Sequence, residues 1–260
     1  MKKTIYLFAL SLLFSCGNEK PTRATTNNEV NLNEVVVLGT IHDGHLVEKE
    51  YSVAVLTQLI KAINPDVVLV EIPPDRFPVA MDEFKQKNTI TEARVKRFPE
   101  YVNVIFPLTK EMNFKIIPTA AWTQEMSKAR SAKLKEIRED GNRADEWNEL
   151  VDAEKNSAEL IKATGREFDP YFINSDEYDR LVEIELEPYN RLFNEELGLG
   201  GWDNINKAHF AYISAALDNL RNQGKRILIT YGAGHKGWFL RELKKRTDIR
   251  LLNLEDIVPK

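Results

Sequence analysis

The chain has 260 residues and a formal net charge of −4, and 43% of its residues are hydrophobic. This length suits one α/β domain, and the hydrophobic fraction is ample for a buried core. The first fifteen residues contain two lysines and no acidic residue, so the rest of the chain is still more acidic. That balance argues against a nucleic-acid-binding protein, which would present a basic face.

Residues 1–16 have the features of a bacterial lipoprotein signal peptide. Two lysines precede the apolar stretch Ile5 to Phe14, which is too short to span a bilayer. The stretch ends at Cys16, the only cysteine in the chain. We therefore predict that Cys16 is lipidated and anchors the protein in the bacterial cell envelope, outside the cytoplasm. The alternative is an ordinary signal peptide with a cysteine placed there by chance.

Polar residues follow the signal peptide, and an α/β pattern follows them. Residues 17–33 show no periodicity and are predicted to form a flexible tether. From residue 34 to residue 260 we predict one α/β domain with a mainly parallel central sheet and flanking helices. Continuous apolar runs of strand length are typical of parallel strands covered on both faces. The predicted strands are 35–38, 67–70, 115–118, 227–231 and 249–252, and the helices include 46–63, most of 77–112 and 202–222.

The region from about 122 to 222, between the third and fourth strands, has helical spacing throughout. Its apolar residues recur at intervals that indicate amphipathic helices, and its charge runs suit solvated helix faces. We predict a helical insertion that stands on the sheet and acts as a lid over a cleft.

Two of the predicted strands end in the same short motif, a glycine followed after two residues by a histidine. Gly39 and His42 follow the first strand, and Gly232 and His235 follow the fourth; the second strand ends in Glu71. Because carboxyl ends of parallel strands meet at one edge of a sheet, these side chains are expected to face one cleft. Imidazole and carboxylate groups are the usual ligands of zinc, manganese and cobalt in proteins.

The glycines and the helix start have expected roles of their own. Gly39, Gly232 and Gly234 are expected to let the backbone turn sharply and approach a bound ion or substrate closely. His235 would lie at a helix N-terminus, where the dipole favours the neutral, ligating imidazole.

The remaining candidates each have two interpretations. His45 either takes a direct part in the site or is exposed on the loop after His42. His209, in an apolar helix stripe, is either an additional ligand or a buried structural histidine that needs only hydrogen-bond partners. Arg76 would bind a substrate carboxylate or orient Glu71, and its alternative is a structural ion pair.

These motifs resemble the Tiki/TraB/GumN family and its wider relatives, the erythromycin esterase and ChaN-like proteins. The resemblance covers residues 34–76 and about 226–240, and the helical middle matches only vaguely. It implies an α/β core with a helical insertion. The matching residues are Gly39, His42, Glu71, Arg76, Gly232 and His235.

The resemblance implies two competing functions. Tiki members are described as metal-dependent proteases, erythromycin esterases cleave an ester, and TraB members are linked to suppression of a peptide pheromone. In a hydrolase of this kind, His42, His235 and Glu71 would hold a divalent metal (Mn, Co or Zn) that polarises a carbonyl and activates water. Glu71 would be the third ligand or the general base, and the substrate a peptide or a small molecule. The candidate catalytic residues are Glu71, Arg76, His42 and His235.

The alternative is a haem-binding lipoprotein in iron acquisition, as implied by the ChaN-like relatives. The same cleft would hold haem, with a tyrosine or histidine as the axial ligand. Tyr231, Tyr171 and Tyr178 are available, and no sequence feature selects one of them.

Overall fold

A computed structural model describes residues 31–258 and shows an α/β fold, as predicted. Five parallel strands form one sheet in the order β3-β2-β4-β1-β5. The predicted signal peptide, Cys16 and most of the predicted tether lie outside the described residues. The strands are β1 (Asn33–Thr40), β2 (Val67–Val70), β3 (Lys115–Pro118), β4 (Arg226–Gly232) and β5 (Ile249–Leu252).

The helices of the described residues cover both faces of the sheet. Among residues 31–258, no helix is both long enough and apolar enough to cross a membrane. The α-helices are α1 (Val53–Ile63), α2 (Phe77–Lys87), α3 (Phe106–Leu108), α4 (Gln124–Glu139), α5 (Ala144–Ala163), α6 (Pro170–Ile173), α7 (Asp176–Phe193), α8 (Trp202–Asn219), α9 (Ala233–Leu243) and α10 (Leu254–Ile257).

Two helical predictions differ from the structure by several residues or more, and the helix predicted over 202–222 ends earlier, at Asn219. The helix predicted over 46–63 begins only at Val53, because the Ser52 side chain caps it by accepting from the Val55 N–H. The stretch 77–112 is broken into α2, a 3₁₀ turn, a π-helix at Glu100–Ile105 and α3. Prolines at 99 and 107 interrupt the regular hydrogen-bond ladder there.

The side chains of β1 alternate between two cores. Val36 and Leu38 pack on one face with α1 and the segment around 95–108. Val35 and Val37 pack on the other face with residues of α8 and α9. Burial on both faces explains why the strand is a continuous apolar run.

The segment between β3 and β4 is helical, as predicted. Its last helix, α8, packs on the sheet, whereas α4, α5 and α7 contribute to a small core of their own around Leu150 and Phe193. The role of this insertion as a lid stays a prediction.

Candidate functional site

The candidate residues from three strand ends meet around Gly232. The Gly232 N–H donates to Glu71 Oε2 at 3.0 Å. A Cβ atom at Gly232 would lie only 2.6 Å from His42 Nε2, so the imidazole rests directly on this glycine. Helix α9 begins at the next residue, which places His235 in its first turn. The structure therefore brings His42, Glu71 and His235 together at one edge of the sheet.

The motif glycines provide space for close neighbours. Gly39, Gly232 and Gly234 all lack a positive φ. A Cβ at Gly39 would meet the Ala233 Cα at 2.9 Å, closer than real Cβ contacts come. A Cβ at Gly234 would lie 3.4 Å from Trp202, which is ordinary contact. Close approach explains Gly39 and Gly232, whereas Gly234 has room for a methyl group.

His42 is held by a buried carboxylate. Its Nδ1 lies 2.6 Å from Oε1 of Glu100, which is 1% exposed and also accepts from the Thr40 hydroxyl at 3.0 Å. Burial lowers the pKa of His42, but the hydrogen bond and charge of Glu100, with the charge of Glu71, outweigh it and raise the pKa overall. With the proton on Nδ1, the lone pair of the neutral ring is on Nε2, which faces Gly232.

The backbone at His42 is strained. Its φ is +48°, a left-handed conformation that costs energy for a residue with a side chain. The side chain remains 39% exposed. In this conformation the ring contacts both Gly232 and Glu100.

His235 is held by a neutral amide. Its Nδ1 lies 2.7 Å from Oδ1 of Asn206, whose amide nitrogen donates to the Trp202 carbonyl at 2.8 Å. That second bond fixes the amide orientation, so Nδ1 of His235 donates and Nε2 keeps the lone pair. Burial lowers the pKa of His235 well below its ordinary value, and the nearby His209 and His42 lower it further. The indole ring of Trp202 stacks on the imidazole at 4.5 Å.

Glu71 is a buried carboxyl group anchored through its own backbone. Its N–H donates to the Tyr101 hydroxyl at 2.8 Å, and that hydroxyl donates to the Thr230 carbonyl at 2.9 Å. Burial raises the pKa of Glu71, and the nearby His42 offsets part of that rise. The carboxylate is therefore more basic than an exposed one, which suits a proton acceptor.

His45 has both ring nitrogens engaged. It is 2% exposed, so it is buried rather than open on the loop. Its Nε2 accepts from the Ile41 N–H at 3.1 Å, and its Nδ1 donates to the Tyr51 carbonyl at 2.6 Å. Burial lowers its pKa and keeps it neutral. With no lone pair left for a ligand, His45 shapes the loop that presents His42.

His209 offers a proton rather than a lone pair. Its Nδ1 accepts from the Ala121 N–H at 2.8 Å, so the hydrogen of the neutral ring is on Nε2. That Nε2 is buried and has no hydrogen-bond partner in the described part of the chain. Burial lowers the pKa of His209 to about 3. The ring lies 5.4 Å from both Tyr231 and His235, centroid to centroid, as a buried neighbour of the site.

Tyr231 is buried behind the site. Its hydroxyl shares a 2.9 Å hydrogen bond with the Thr119 hydroxyl, and its side chain is 1% exposed. Burial raises its pKa far above the ordinary value. An axial-ligand role would require this hydroxyl to leave Thr119.

Arg76 is half-exposed and pairs with neighbouring carboxylates. Its guanidinium lies 3.1 Å from Asp75 and 4.0 Å from Glu92. It forms no ion pair or hydrogen bond with Glu71 within residues 31–258. The arginine close enough to shift the pKa of Glu71 is Arg94, whose charge opposes the effect of burial.

Sequence reasoning missed the residues that orient the site. Glu100, Tyr101 and Arg94 lie in a stretch interpreted only as broken helix, and no motif distinguishes them. The sequence could have indicated Asn206, because this polar residue lies three residues before His209 in the apolar stripe of α8. Two polar side chains on one buried helix face indicate a shared contact.

The donor chemistry fits a divalent metal. His42 and His235 each present Nε2 with Nδ1 held by an oxygen, the arrangement typical of metal-binding histidines. Within residues 31–258, no three His, Cys, Asp or Glu side chains are arranged closely enough to hold a metal ion.

Comparison with known proteins finds no match. No family model matches the chain, and neither does any curated protein or solved structure.

Proposed function

We propose that this protein is a metal-dependent hydrolase of peptide or ester bonds, of the kind implied by its resemblance to the Tiki/TraB/GumN family. One observation supports this most. Two imidazoles from separate strand ends lie near each other, His42 also lies near the basic buried carboxyl group of Glu71, and each ring has its Nδ1 held by a buried oxygen.

His42 Nε2, His235 Nε2 and the Glu71 carboxylate are the residues that would hold the metal. Two imidazoles and one carboxylate suit Zn, Mn or Co, and three ligands leave a position open. When bound, the metal supplies a Lewis acid for the carbonyl and lowers the pKa of a bound water to about 7.

The protein's own groups have separate tasks in this proposal. In the role of general base rather than third ligand, Glu71 would accept a proton from the attacking water because its pKa is raised, while the Gly232 N–H fixes its Oε2. Glu100 holds the proton of His42 on Nδ1 and raises the basicity of the ring, which strengthens it as a ligand. Asn206 sets the same tautomer for His235 without adding charge.

The predicted lipid anchor would place this hydrolase in the bacterial envelope, facing away from the cytoplasm. The stretch of about fourteen residues between Cys16 and residue 31 would reach at most about 50 Å if it were fully extended. Its substrates would therefore be peptides or small molecules outside the cytoplasm. Exchanging Cys16 for Ser and fractionating cells tests the anchor, because the variant should leave the membrane fraction.

The haem-binding alternative stays a prediction. No contact among the described residues favours it over the hydrolase, and the Tyr231 hydroxyl is engaged with Thr119. The purified protein distinguishes the two: a haem protein is coloured with a Soret band, and a metallohydrolase of Zn or Mn is not.

The test combines metal analysis with an activity screen. Full-length protein is stripped with chelator, reloaded with Mn, Co or Zn, and assayed on a peptide library and on esters. We expect bound metal and turnover in the parent and neither in His42→Ala or His235→Ala. The control variant Arg138→Gln, on the exposed face of α4, should behave as the parent.

Glu71→Gln separates the two roles of this residue. If Glu71 is the general base, the variant keeps the metal and loses turnover; if it is a ligand, it loses both. Absence of divalent metal from the parent with both histidines intact would overturn the proposed mechanism.

A further inference from the structure

A cleft of about 490 Å³ opens beside the candidate site. Its walls come from the segment after β2, the residues 92–97 and the start of α4. We call it the arginine cleft, after Arg76, Arg94 and Arg97, which all line it together with Trp122. The histidines themselves do not line it, so it is a neighbouring compartment of the site.

Two of the three arginines have no carboxylate of their own. Arg76 is neutralised by Asp75 and Glu92. Within residues 31–258, Arg94 and Arg97 form no ion pair, and the Nε of Arg94 is buried without a hydrogen-bond partner. An unpaired buried guanidinium nitrogen is costly unless a ligand supplies an acceptor.

The acidic residues of the cleft interact with groups other than Arg94 and Arg97. One oxygen of Glu92 accepts from the backbone N–H groups of Arg94 and Val95, at 2.9 and 2.8 Å. Glu125, at the start of α4, is hydrogen-bonded to its own backbone and to Thr123, which lowers its pKa. These carboxylates therefore leave Arg97 and the Nε of Arg94 without an acceptor among the described residues, and the nearby charge that acts most on Arg94 is that of Glu71.

Two aromatic rings at the cleft, Phe98 and Trp122, contact histidines of the site. The Arg94 guanidinium lies 5.0 Å above the Phe98 ring, and that ring meets His42 edge-on at 5.0 Å. On the other wall, Trp122 meets the buried His209 at 6.2 Å. An anion on Arg94 would be one aromatic ring away from His42.

From this geometry we propose that the arginine cleft binds the C-terminal carboxylate of a peptide substrate, held by Arg94 and Arg97. Guanidinium groups match the planar carboxylate with paired hydrogen bonds. The two 5.0 Å contacts put the Arg94 guanidinium within about 10 Å of the His42 ring, a span of one to two peptide residues once the ion pair is allowed for.

The bond cleaved is therefore the last or second-last peptide bond, and this part rests on the proposed hydrolase function. Water adds to the carbonyl carbon and the C–N bond breaks. One proton of the water passes through Glu71 to the leaving amine, and the products are a shortened peptide acid and a free amino acid or dipeptide.

Binding is tested without turnover on the full-length protein stripped of metal. Acetyl-Ala-Ala-Ala as the free acid and as its C-terminal amide are titrated by calorimetry. We expect the acid to bind at least 10-fold more tightly than the amide, and Arg97→Gln to remove that preference. Arg94→Lys should weaken it, and the exposed Arg138→Gln should leave it unchanged.

Arg97 is exposed, so its variant should fold even if Arg94 variants do not. Equal binding of acid and amide, or an unchanged preference in folded Arg97→Gln, would overturn the proposal. Inorganic phosphate that competes with the acid far better than acetate does would also overturn it, in favour of a phosphate-bearing ligand.

Turnover separates this proposal from the proposed function. Arginine-dependent binding without cleavage by the metal-loaded protein supports the carboxylate site and contradicts the hydrolase. Equal cleavage of acid and amide supports the hydrolase and contradicts the carboxylate site.

Discussion

The two Gly-x-x-His motifs have the same sequence pattern but build different environments. After β1, His42 has left-handed backbone, is 39% exposed and is held by the carboxylate of Glu100. After β4, His235 lies in the first turn of α9, is 8% exposed and is held by the amide of Asn206. Both rings keep the proton on Nδ1, yet the pKa of His42 is raised and that of His235 is lowered. The motif places a histidine, and the surroundings of the ring set its pKa: the Glu100 carboxylate raises that of His42, and burial lowers that of His235.

The largest expected effect comes from removing either ring. His42→Ala and His235→Ala should each lower activity by about 10³-fold, in keeping with the loss of a principal catalytic group. Initial rates on the best substrate of the screen, with circular dichroism to check folding, measure this. A folded variant with parental activity would remove its histidine from the site.

A methyl group at Gly232 should damage the site nearly as much. Gly232→Ala would place its Cβ 2.6 Å from His42 Nε2, and a displacement of about 1 Å can cost 100-fold in rate. The matched control is Gly234→Ala, which meets Trp202 at an ordinary 3.4 Å within α9. That control should keep its activity, because its Cβ would displace no neighbour. Equal effects of the two changes would contradict the close approach at Gly232.

Replacing the residue that holds Nδ1 of either histidine should lower activity less than removing the histidine itself. Glu100→Gln and Asn206→Ala should each lower activity or metal affinity by about 10- to 100-fold, as expected for groups that orient a ligand. Only Glu100→Gln should also lower the pKa of His42, because it removes the carboxylate charge. An unchanged His42 titration in that variant would show that Glu100 does not set its basicity.

The pH dependence of stability should have opposite signs for the two histidines. His42 has a raised folded pKa, so its contribution is full below the unfolded pKa of about 6.5 and is lost as the pH rises through the raised value. His235 has a lowered folded pKa, so its contribution is present above about pH 6.5 and is lost as the pH falls.

Urea unfolding of the metal-free protein between pH 5 and 8 measures these two terms when the parent is compared with His42→Gln and His235→Gln, because His45 and His209 add slopes of the same sign as His235. The His235 term should fall by at most about 1.4 kcal/mol per pH unit, and the half-exposed His42 should give less because solvent screens it. His42→Gln and His235→Gln should each remove their own slope. Slopes of the same sign would contradict the assignment.

The sequence predicts the fold better than it predicts the site's environment. The apolar run 67–70 coincides with a strand that is buried on both faces, and the run 115–118 coincides with a partly exposed strand at the edge of the sheet. The motif positions His42, Glu71 and His235 follow from strand ends. Their partners do not, since Glu100 and Asn206 reach the site from helices distant in the sequence.

Arg76 and Arg94 illustrate the same limit. Arg76 follows the second strand, and its position in the chain suggested a contact with Glu71. In the structure, Arg76 forms ion pairs with Asp75 and Glu92 instead. The arginine near Glu71 is Arg94, which lies on a loop without periodicity. Long-range electrostatic partners on irregular segments leave no periodic signal in a single sequence.

The most direct test of one shared site is NMR of the four histidine rings during titration with Zn²⁺. Long-range ¹H–¹⁵N spectra report the protonation of each ring nitrogen, with assignments from His→Gln variants. We expect the Nε2 signals of His42 and of His235 to shift together at one equivalent of Zn²⁺. His45 and His209 should keep their tautomers, because their acceptor nitrogens are already hydrogen-bonded. Zn²⁺ that shifts neither His42 nor His235, or only one of them, would contradict a metal site shared by the two motifs.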